Sequence, residues 1–381
     1  MVQQSLNWKG MAANLAAELK ATGDLTARSL IDAVSATPRH LFVPRYFQNS
    51  GGAPTLWQER TEPDGESWLR PIYSNTTLVT ALDQAEQVTN GWHGIPTSSS
   101  TQPSLTCRMV EALDVRSDDR VLDGGLGTGY QAALIASQLR HGSQLTACDL
   151  SGTSEAGKRL VQLGHDVDVL PADATSQAFN KKFDKAIFSF GLPRITDTIR
   201  SAMAPGGHLI ANVLGPLSAA LVLLEADGDG NLNGPFLQGG GLFMPARHKD
   251  RDPVSLPAQV PASQGLTDIP VETFDNYQFK FLLAAHLPGV NLQYGTEEGQ
   301  STRRLVMPDG RWCELAYRDA SPREPRYYGQ GAPEIWKTLR WAWQWWTKRG
   351  MPRWERFGLT VTDAGHRLWY QSPEGESWAV G

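Results

Sequence analysis

The chain has 381 residues, of which 40% are hydrophobic, and a formal net charge of −5. That length supports two domains with buried cores, and the acidic balance argues against a nucleic-acid footprint. Three separated cysteines, Cys107, Cys148 and Cys313, form neither a disulfide framework nor a zinc-type pairing, the eight histidines are scattered, and no apolar run reaches membrane-spanning length. The expectation is a cytoplasmic protein with no signal peptide, no metal, no membrane and no nucleic-acid partner.

Residues 7–36 predict two helices, because Met11, Leu15 and Leu19, then Leu30, Ile31 and Val34, recur at helical spacing around Gly23-Asp24. Pro38 ends the second. Residues 48–72 are rich in Gly and Pro and predict a loop-rich insert, and residues 73–95 carry no clear period. Thr97-Ser-Ser-Ser-Thr-Gln-Pro103 precedes a helix marked by Leu105, Met109 and Leu113, so its plainest role is helix capping.

Arg120-Val-Leu-Asp-Gly-Gly-Leu-Gly-Thr-Gly-Tyr130 is the most informative stretch. An apolar run ends at Asp123, glycines follow at 125, 127 and 129, and an apolar helical segment runs from Gln131 to Leu139. A dinucleotide fingerprint is G-x-G-x-x-G with helix amides facing a pyrophosphate. Here the order is D-x-G-x-G-x-G. That fits a phosphate-free nucleoside ligand whose amino-acid tail lies near the acid, of which S-adenosylmethionine is one; a purely structural turn is the alternative.

Successive βα units follow. Ser143–Asp149 predicts a second strand whose terminal acid, Asp149, stands where ribose hydroxyls are held. Asp166–Pro171 predicts a third, followed by Ala172-Asp173-Ala174, where an acid can take an exocyclic amine. Phe183–Phe190 predicts a fourth, Met203–Gly207 a turn and His208–Val213 a fifth. Each acid, taken alone, is equally a loop acid or a helix cap, but three at consecutive strand ends place a ligand beyond the carboxyl edge of a parallel sheet.

Leu217–Leu224, the turn Glu225-Ala-Asp-Gly-Asp-Gly-Asn-Leu and Gly239–Pro245 predict antiparallel strands added to that sheet. The turn resembles part of a calcium loop but lacks its terminal glutamate. Four prolines between His248 and Pro270 predict a linker. Nine of the thirteen tryptophans lie from Trp312 to Trp378. Pro333–Trp346 predicts a helix with Ile335, Leu339, Ala342, Trp343 and Trp346 on one buried face, leaving Trp341 and Trp345 as candidates for a binding surface or an interdomain contact. Leu359, Val361, Leu368 and Tyr370 predict a hairpin.

Several of these pieces resemble the protein-L-isoaspartate O-methyltransferases. Pro38-Arg-His-Leu-Phe-Val-Pro-Arg-Tyr46 is similar to their "PR-x-x-F-VP" motif, Ser100-Thr-Gln-Pro103 to "I-S-Q-P", and Val121–Ala133 to "VLEIGTGSGYQAA". Phe183-Asp-Lys-Ala-Ile and Ala204-Pro-Gly-Gly207 occur in the family's order. The resemblance covers roughly residues 25–248. It implies a doubly wound, Rossmann-like class I methyltransferase of α/β class, with an additional C-terminal α+β domain. The expected division is 1–103 as N-terminal helices and substrate-side insert, 104–248 as cofactor-binding core, and 249–381 as a Trp-rich auxiliary domain without counterpart in the usual family members.

By position, the resemblance implies that Asp123, Gly124, Gly125, Gly127, Gly129 and Tyr130 hold the methionine end of S-adenosylmethionine. Asp149 and Leu150 lie at the ribose, and Asp173 with Ala174 at the adenine. Thr101 falls where the family's substrate-facing serine sits, with Ser100 and Gln102 beside it. The longer approach to Thr101 and the extra tail depart from the repair enzymes. They resemble an extended branch found beside enzymes that modify ribosomal peptides, in which an aspartate of a constrained precursor peptide is methylated and closes to an aspartimide. Isoaspartyl repair and a non-catalytic cofactor-binding scaffold are the alternatives; a nicotinamide oxidoreductase is opposed by the glycine spacing.

Overall fold

In the computed structural model the described residues are 7–246, 265–297, 300–318 and 326–380. The linker expected over 248–270 falls outside them up to residue 264. Two compact units divide the chain. The first takes in the described residues up to Phe190 with Thr196–Ile210 and Glu225–Gly230; the second takes in Gly191–Ile195, Ala211–Leu224 and Asn231 onward.

The first unit opens with α1 (Trp8–Ala21), α2 (Arg28–Ala36) and the short α3 (Arg39–Phe42). Asn7 starts α1 by accepting the Gly10 amide on its side chain. Residues 45–100, expected as a loop-rich insert and an unpatterned stretch, form a closed barrel in the order β1-β2-β4-β3. Its strands are β1 (Arg45–Asn49), β2 (Trp57–Thr61), β3 (Leu78–Val88) and β4 (Gly91–Ser100), with α4 (Glu66–Ile72) between β2 and β3. Irregular register between β3 and β4 and mostly half-exposed side chains remove the alternation that would have revealed these strands.

The Ser/Thr run before α5 (Pro103–Leu113) is therefore strand up to Ser100, not a cap. Gln102 occupies the cap position without a side-chain bond. The caps come from elsewhere: the Thr77 hydroxyl accepts from Gln102 N and Asn75 Oδ1 from Ser104 N.

The remainder of the unit alternates strand and helix: β5 (Val121–Gly124), α6 (Tyr130–Ala136), β6 (Leu145–Asp149), α7 (Thr153–Gln162), β7 (Asp168–Pro171), β8 (Phe183–Leu192), α8 (Asp197–Ala202) and β9 (Met203–Leu214). The order is β7-β6-β5-β8-β9, with β5, β6, β7 and β8 parallel where paired. This is the doubly wound order. Val121, Leu122, Leu145, Ala147, Ala186, Ile187 and Phe188 are buried along the central strands, each large aliphatic contributing about 1.5–3 kcal/mol. The turn expected at Met203–Gly207 lies within β9.

In the second unit β10 (Ala219–Ala226) and β11 (Leu232–Pro235) adjoin β17 (Phe357–Thr362), β18 (Gly365–Tyr370) and β19 (Ser377–Val380), in the order β10-β11-β17-β18-β19. The strand expected over Gly239–Pro245 is only a bridge between Gly191 and Pro245. A separate five-stranded sheet has the order β12-β16-β15-β14-β13, built from β12 (Gly265–Leu266), β13 (Asn291–Glu297), β14 (Gln300–Val306), β15 (Trp312–Arg318) and β16 (Arg326–Tyr328).

Helices α9 (Tyr277–His286) and α10 (Ala332–Lys348) pack together in this unit. Trp341 is 38% exposed, as expected, but Trp345 is buried. A single-stripe reading of α10 fails because its apolar face is wide. Trp336 stacks on Tyr327 of β16, while Trp345 meets Phe357, Tyr370 and Trp378 around β17–β19. Trp343, expected within the buried stripe, is half-buried. Among the described residues no helix is long and apolar enough to cross a membrane.

Candidate functional site

The site is built where β5 stops. Gly125, Gly127 and Gly129 all have positive φ, at 89°, 53° and 93°, a region that side-chain-bearing residues enter at a cost of about 1–2 kcal/mol. Glycine at Gly124 and Gly125 also answers close packing: an added Cβ would lie 2.5 Å from Phe188 Cδ1 and 2.8 Å from Phe190 Cδ1, respectively. At Gly127 the added carbon would meet nothing nearer than 3.9 Å, namely the Gly125 and Ser99 carbonyl oxygens. The turn is therefore packed from behind and open at its middle, and that middle faces the last residues of β4.

The amides of the turn are already committed. Gly125 N and Leu126 N donate to the Cys148 carbonyl at 2.9 and 3.0 Å, and Gly127 N donates to Asp149 Oδ2 at 2.8 Å. A pyrophosphate cradle needs such amides free. Here the end of β6 takes them, so the turn offers shape in place of an anion nest, as the glycine spacing implied.

Asp123 is fully buried. Gln131 Nε2 donates to its Oδ1 at 2.8 Å and to Ser189 Oγ at 2.7 Å. Asp123 Oδ2 is buried with no hydrogen-bond partner among the described residues. Desolvation, opposed by the Gln131 hydrogen bond and reinforced by the nearby Asp149 charge, pushes the Asp123 carboxyl up to about 7. A buried, unsatisfied carboxylate oxygen is costly unless a donor or cation meets it. The ammonium group of an amino-acid tail is such a partner, so the residues present fit the methionine end of S-adenosylmethionine.

The other predicted residues fall around this point. Asp149 ends β6, its Oδ1 also accepting from Ser151 N at 3.2 Å. Leu150, next along, is 51% exposed, an apolar face at the strand end. Asp173 accepts the Thr175 amide and hydroxyl on Oδ1 at 2.8 and 2.7 Å, so half of its carboxylate caps a local turn. Ala174 is buried, with its Cβ 3.2 Å from the position a Gly124 Cβ would take. Tyr130 begins α6, buried edge-on against Phe42.

On the opposite side, Ser100 ends β4 and is 3% exposed, Thr101 is half-buried, and Gln102 caps α5 through its carbonyl, which accepts from Leu105 N and Thr106 N. Sequence reasoning missed the residue that organises this side. Arg39 lies in the Pro38–Tyr46 motif and is fully buried. Its Nη1 donates to the Ile72 carbonyl at 2.7 Å and the Ser74 carbonyl at 3.3 Å. Its Nη2 donates to the Thr76 carbonyl at 3.4 Å, Ser100 Oγ at 3.1 Å and the Thr101 carbonyl at 3.0 Å. The guanidinium also stands 5.4 Å from the centre of the Tyr130 ring. Gln131 was missed too; its signal was its place one residue into the helix after the glycine turn.

Residues 79–248 match the family model described as protein-L-isoaspartate(D-aspartate) O-methyltransferase. A protein-L-isoaspartate O-methyltransferase of Stenotrophomonas maltophilia is 27% identical over 207 residues, covering 54% of this chain and 75% of that protein. One of Roseiflexus castenholzii is 28% identical over 207 residues, covering 54% and 78%. A solved protein-L-isoaspartate O-methyltransferase structure aligns over 94% of this chain and 99% of its own with a TM-score of 0.51 at 19% identity. That likeness, which concerns fold alone, extends past residue 248, where no counterpart was expected. Residues 79–248 thus match the protein-L-isoaspartate(D-aspartate) O-methyltransferase family model, and the match indicates an S-adenosylmethionine-dependent carboxyl O-methyltransferase.

Proposed function

We propose that this chain methylates the side-chain carboxylate of an aspartyl residue in a ribosomally made, constrained precursor peptide, and that the ester then closes to an aspartimide. The observation that carries the reading is the approach of β4 to the glycine turn. A hydroxyl-bearing segment, Ser98–Thr101, ends there, with the Ser99 carbonyl 3.9 Å from where a Gly127 Cβ would stand. The long β3–β4 approach and the departures from the repair enzymes' "I-S-Q-P" motif support a substrate other than damaged protein.

When bound, the sulfonium supplies an electrophilic methyl group and leaves as a neutral thioether. The acceptor carboxylate is already ionised at neutral pH, with an unperturbed pKa of about 4. No general base is required, and no proton moves in the transfer. The chain's own work is placement and exclusion of water. Thr101 Oγ, with Ser100 and Gln102, holds one acceptor oxygen so that the other points at the methyl. Asp123 would hold the ammonium end of the donor, Asp149 with Leu150 the ribose, and Asp173 with Ala174 the adenine. Afterwards the next backbone nitrogen attacks the ester carbonyl and methanol departs with the amide proton.

Repair of isoaspartyl residues is the second reading, favoured by the names of the matched relatives. Mass spectrometry separates them. A short isoaspartyl peptide and a cyclic aspartyl peptide are each incubated with enzyme and S-adenosylmethionine. Our reading expects the cyclic peptide to gain one CH₂ and then lose methanol, and it fails if only the isoaspartyl peptide changes mass.

A further inference from the structure

We propose that Arg39 is the positioning residue of the methyl-accepting side and that it makes the Ser100 hydroxyl a charge-assisted donor to the substrate carboxylate. The inference rests on the acceptor side proposed above.

Arg39 gathers both ends of the β3–β4 hairpin. Its contacts to the Ile72, Ser74 and Thr76 carbonyls hold the chain entering β3, and its contacts to Ser100 Oγ and the Thr101 carbonyl hold the chain leaving β4. The same guanidinium lies over Tyr130, the first residue of the helix that follows the glycine turn. One rigid fork therefore relates the acceptor loop to the cofactor turn, something a lysine, with a single point charge, does not do.

The electrostatics point the same way. Arg39 is fully buried, and among the described residues it forms no ion pair. Its charge is met only by carbonyls, a hydroxyl and an aromatic face. A buried cation without a counter-charge is stabilised by an incoming anion far more than an exposed one is. Ser100 transmits this effect. Its Oγ accepts from Arg39, and among the described residues it makes no other hydrogen bond. The hydroxyl proton is then directed away from the guanidinium, polarised by it, and available to an oxygen acceptor. In the resembled "I-S-Q-P" motif this position is isoleucine, so the hydroxyl beside Arg39 is an addition of this chain to that pattern.

The test uses the full chain with Arg39→Lys, Ser100→Ala and the double variant, assayed on the short isoaspartyl peptide and the cyclic aspartyl peptide. S-adenosylhomocysteine affinity is measured by calorimetry. Each single change is expected to lower kcat/KM about 100-fold, the loss typical of removing one preorganised donor. The S-adenosylhomocysteine Kd stays within about twofold, and the double variant is no worse than Arg39→Lys alone, because neighbours acting as one unit are not additive. Losses that multiply, or a cofactor affinity that falls in step with turnover, overturn the proposal. Amide exchange supplies a readout without turnover: residues 99–103 should exchange faster in Arg39→Lys while 125–129 do not. If neither peptide is methylated by the parent enzyme, the functional reading falls and the exchange result alone decides this one, unchanged exchange at 99–103 overturning it. If Arg39→Lys does not fold, Ser100→Ala decides: turnover equal to the parent's overturns the proposal.

Discussion

The glycine turn after β5 and the tryptophan helix α10 solve opposite problems. Around α10 the polar tips of large apolar rings find partners inside the protein: Trp345 Nε1 donates to Glu376 Oε1 at 2.8 Å, Trp346 Nε1 to the Pro352 carbonyl, and Arg349 covers the Trp345 ring at 4.1 Å. At the turn, three glycines take positive φ that residues with side chains enter only at a cost, and Asp123 Oδ2 is left without a partner among the described residues. Unmet buried polarity concentrates where a ligand completes the arrangement, whereas satisfied aromatic packing marks a core. The first region leaves a buried polar group for a ligand to meet, and the second meets its own polar groups within the chain.

The largest effect that tests this contrast belongs to the second region. Trp345→Ala should destabilise the protein by about 3–5 kcal/mol, the usual cost of emptying a large aromatic position. S-adenosylhomocysteine affinity at a temperature where the variant remains folded should not change. Denaturant unfolding and calorimetry check it, and a large loss of cofactor affinity would make Trp345 part of the binding machinery. The exposed neighbour Trp341 should cost far less.

Thr101→Val comes next. It keeps shape and removes the hydroxyl, so turnover should fall about 100-fold, as when one positioned donor is lost, with cofactor affinity intact. Parallel loss in both quantities would reduce Thr101 to scaffold and remove the acceptor side from the comparison.

How far these regions could be read beforehand depended on whether their causes were local. Strand, acid, glycine spacing and helix are contiguous from Val121 to Ala136, so the turn and the end of β5 were legible as a pattern. The barrel was not, because β3 and β4 leave most of their side chains half-exposed and slip register, leaving no period to detect. Arg39 was invisible for a different reason. Its role exists only when residues 72–76, 100 and 101 converge on it, and an arginine in a short motif ordinarily suggests a solvated charge. Trp345 was misplaced because a helix touching two sheets buries more than one stripe.

A smaller and more discriminating change separates the two uses of glycine within the turn. Gly124→Ala drives a methyl to 2.5 Å from Phe188 and should mainly destabilise, by about 1–3 kcal/mol for overpacking. Gly127→Ala meets no such contact, its nearest neighbours being 3.9 Å away, and should cost only the backbone strain of about 1–2 kcal/mol. Its methyl enters the open middle of the turn, so S-adenosylhomocysteine should bind about tenfold or more weakly, equivalent to about 1.4 kcal/mol. Calorimetry on both variants decides it; unchanged binding to Gly127→Ala would show that the open middle is not ligand space.

The last test turns on pH. Burial raises the Asp123 carboxyl to about 7 from an ordinary value of 3.8. The unfolded chain therefore releases this proton near 4 and the folded chain only near 7. Between those values the folded state binds more protons, so the contribution of Asp123 to stability is fully present below about pH 4, declines as pH rises towards 7, and is flat above. A ligand bringing an ammonium to Oδ2 favours the ionised form and must displace the proton at pH 6 but not at pH 8. Titration calorimetry in buffers of different ionisation heat should count about one proton released per S-adenosylhomocysteine at pH 6 and almost none at pH 8, with affinity rising up to about tenfold across that window. Asp123→Asn should bind with no such release at either pH. Equal proton counts for the parent and Asp123→Asn would detach the unmet oxygen from the ligand.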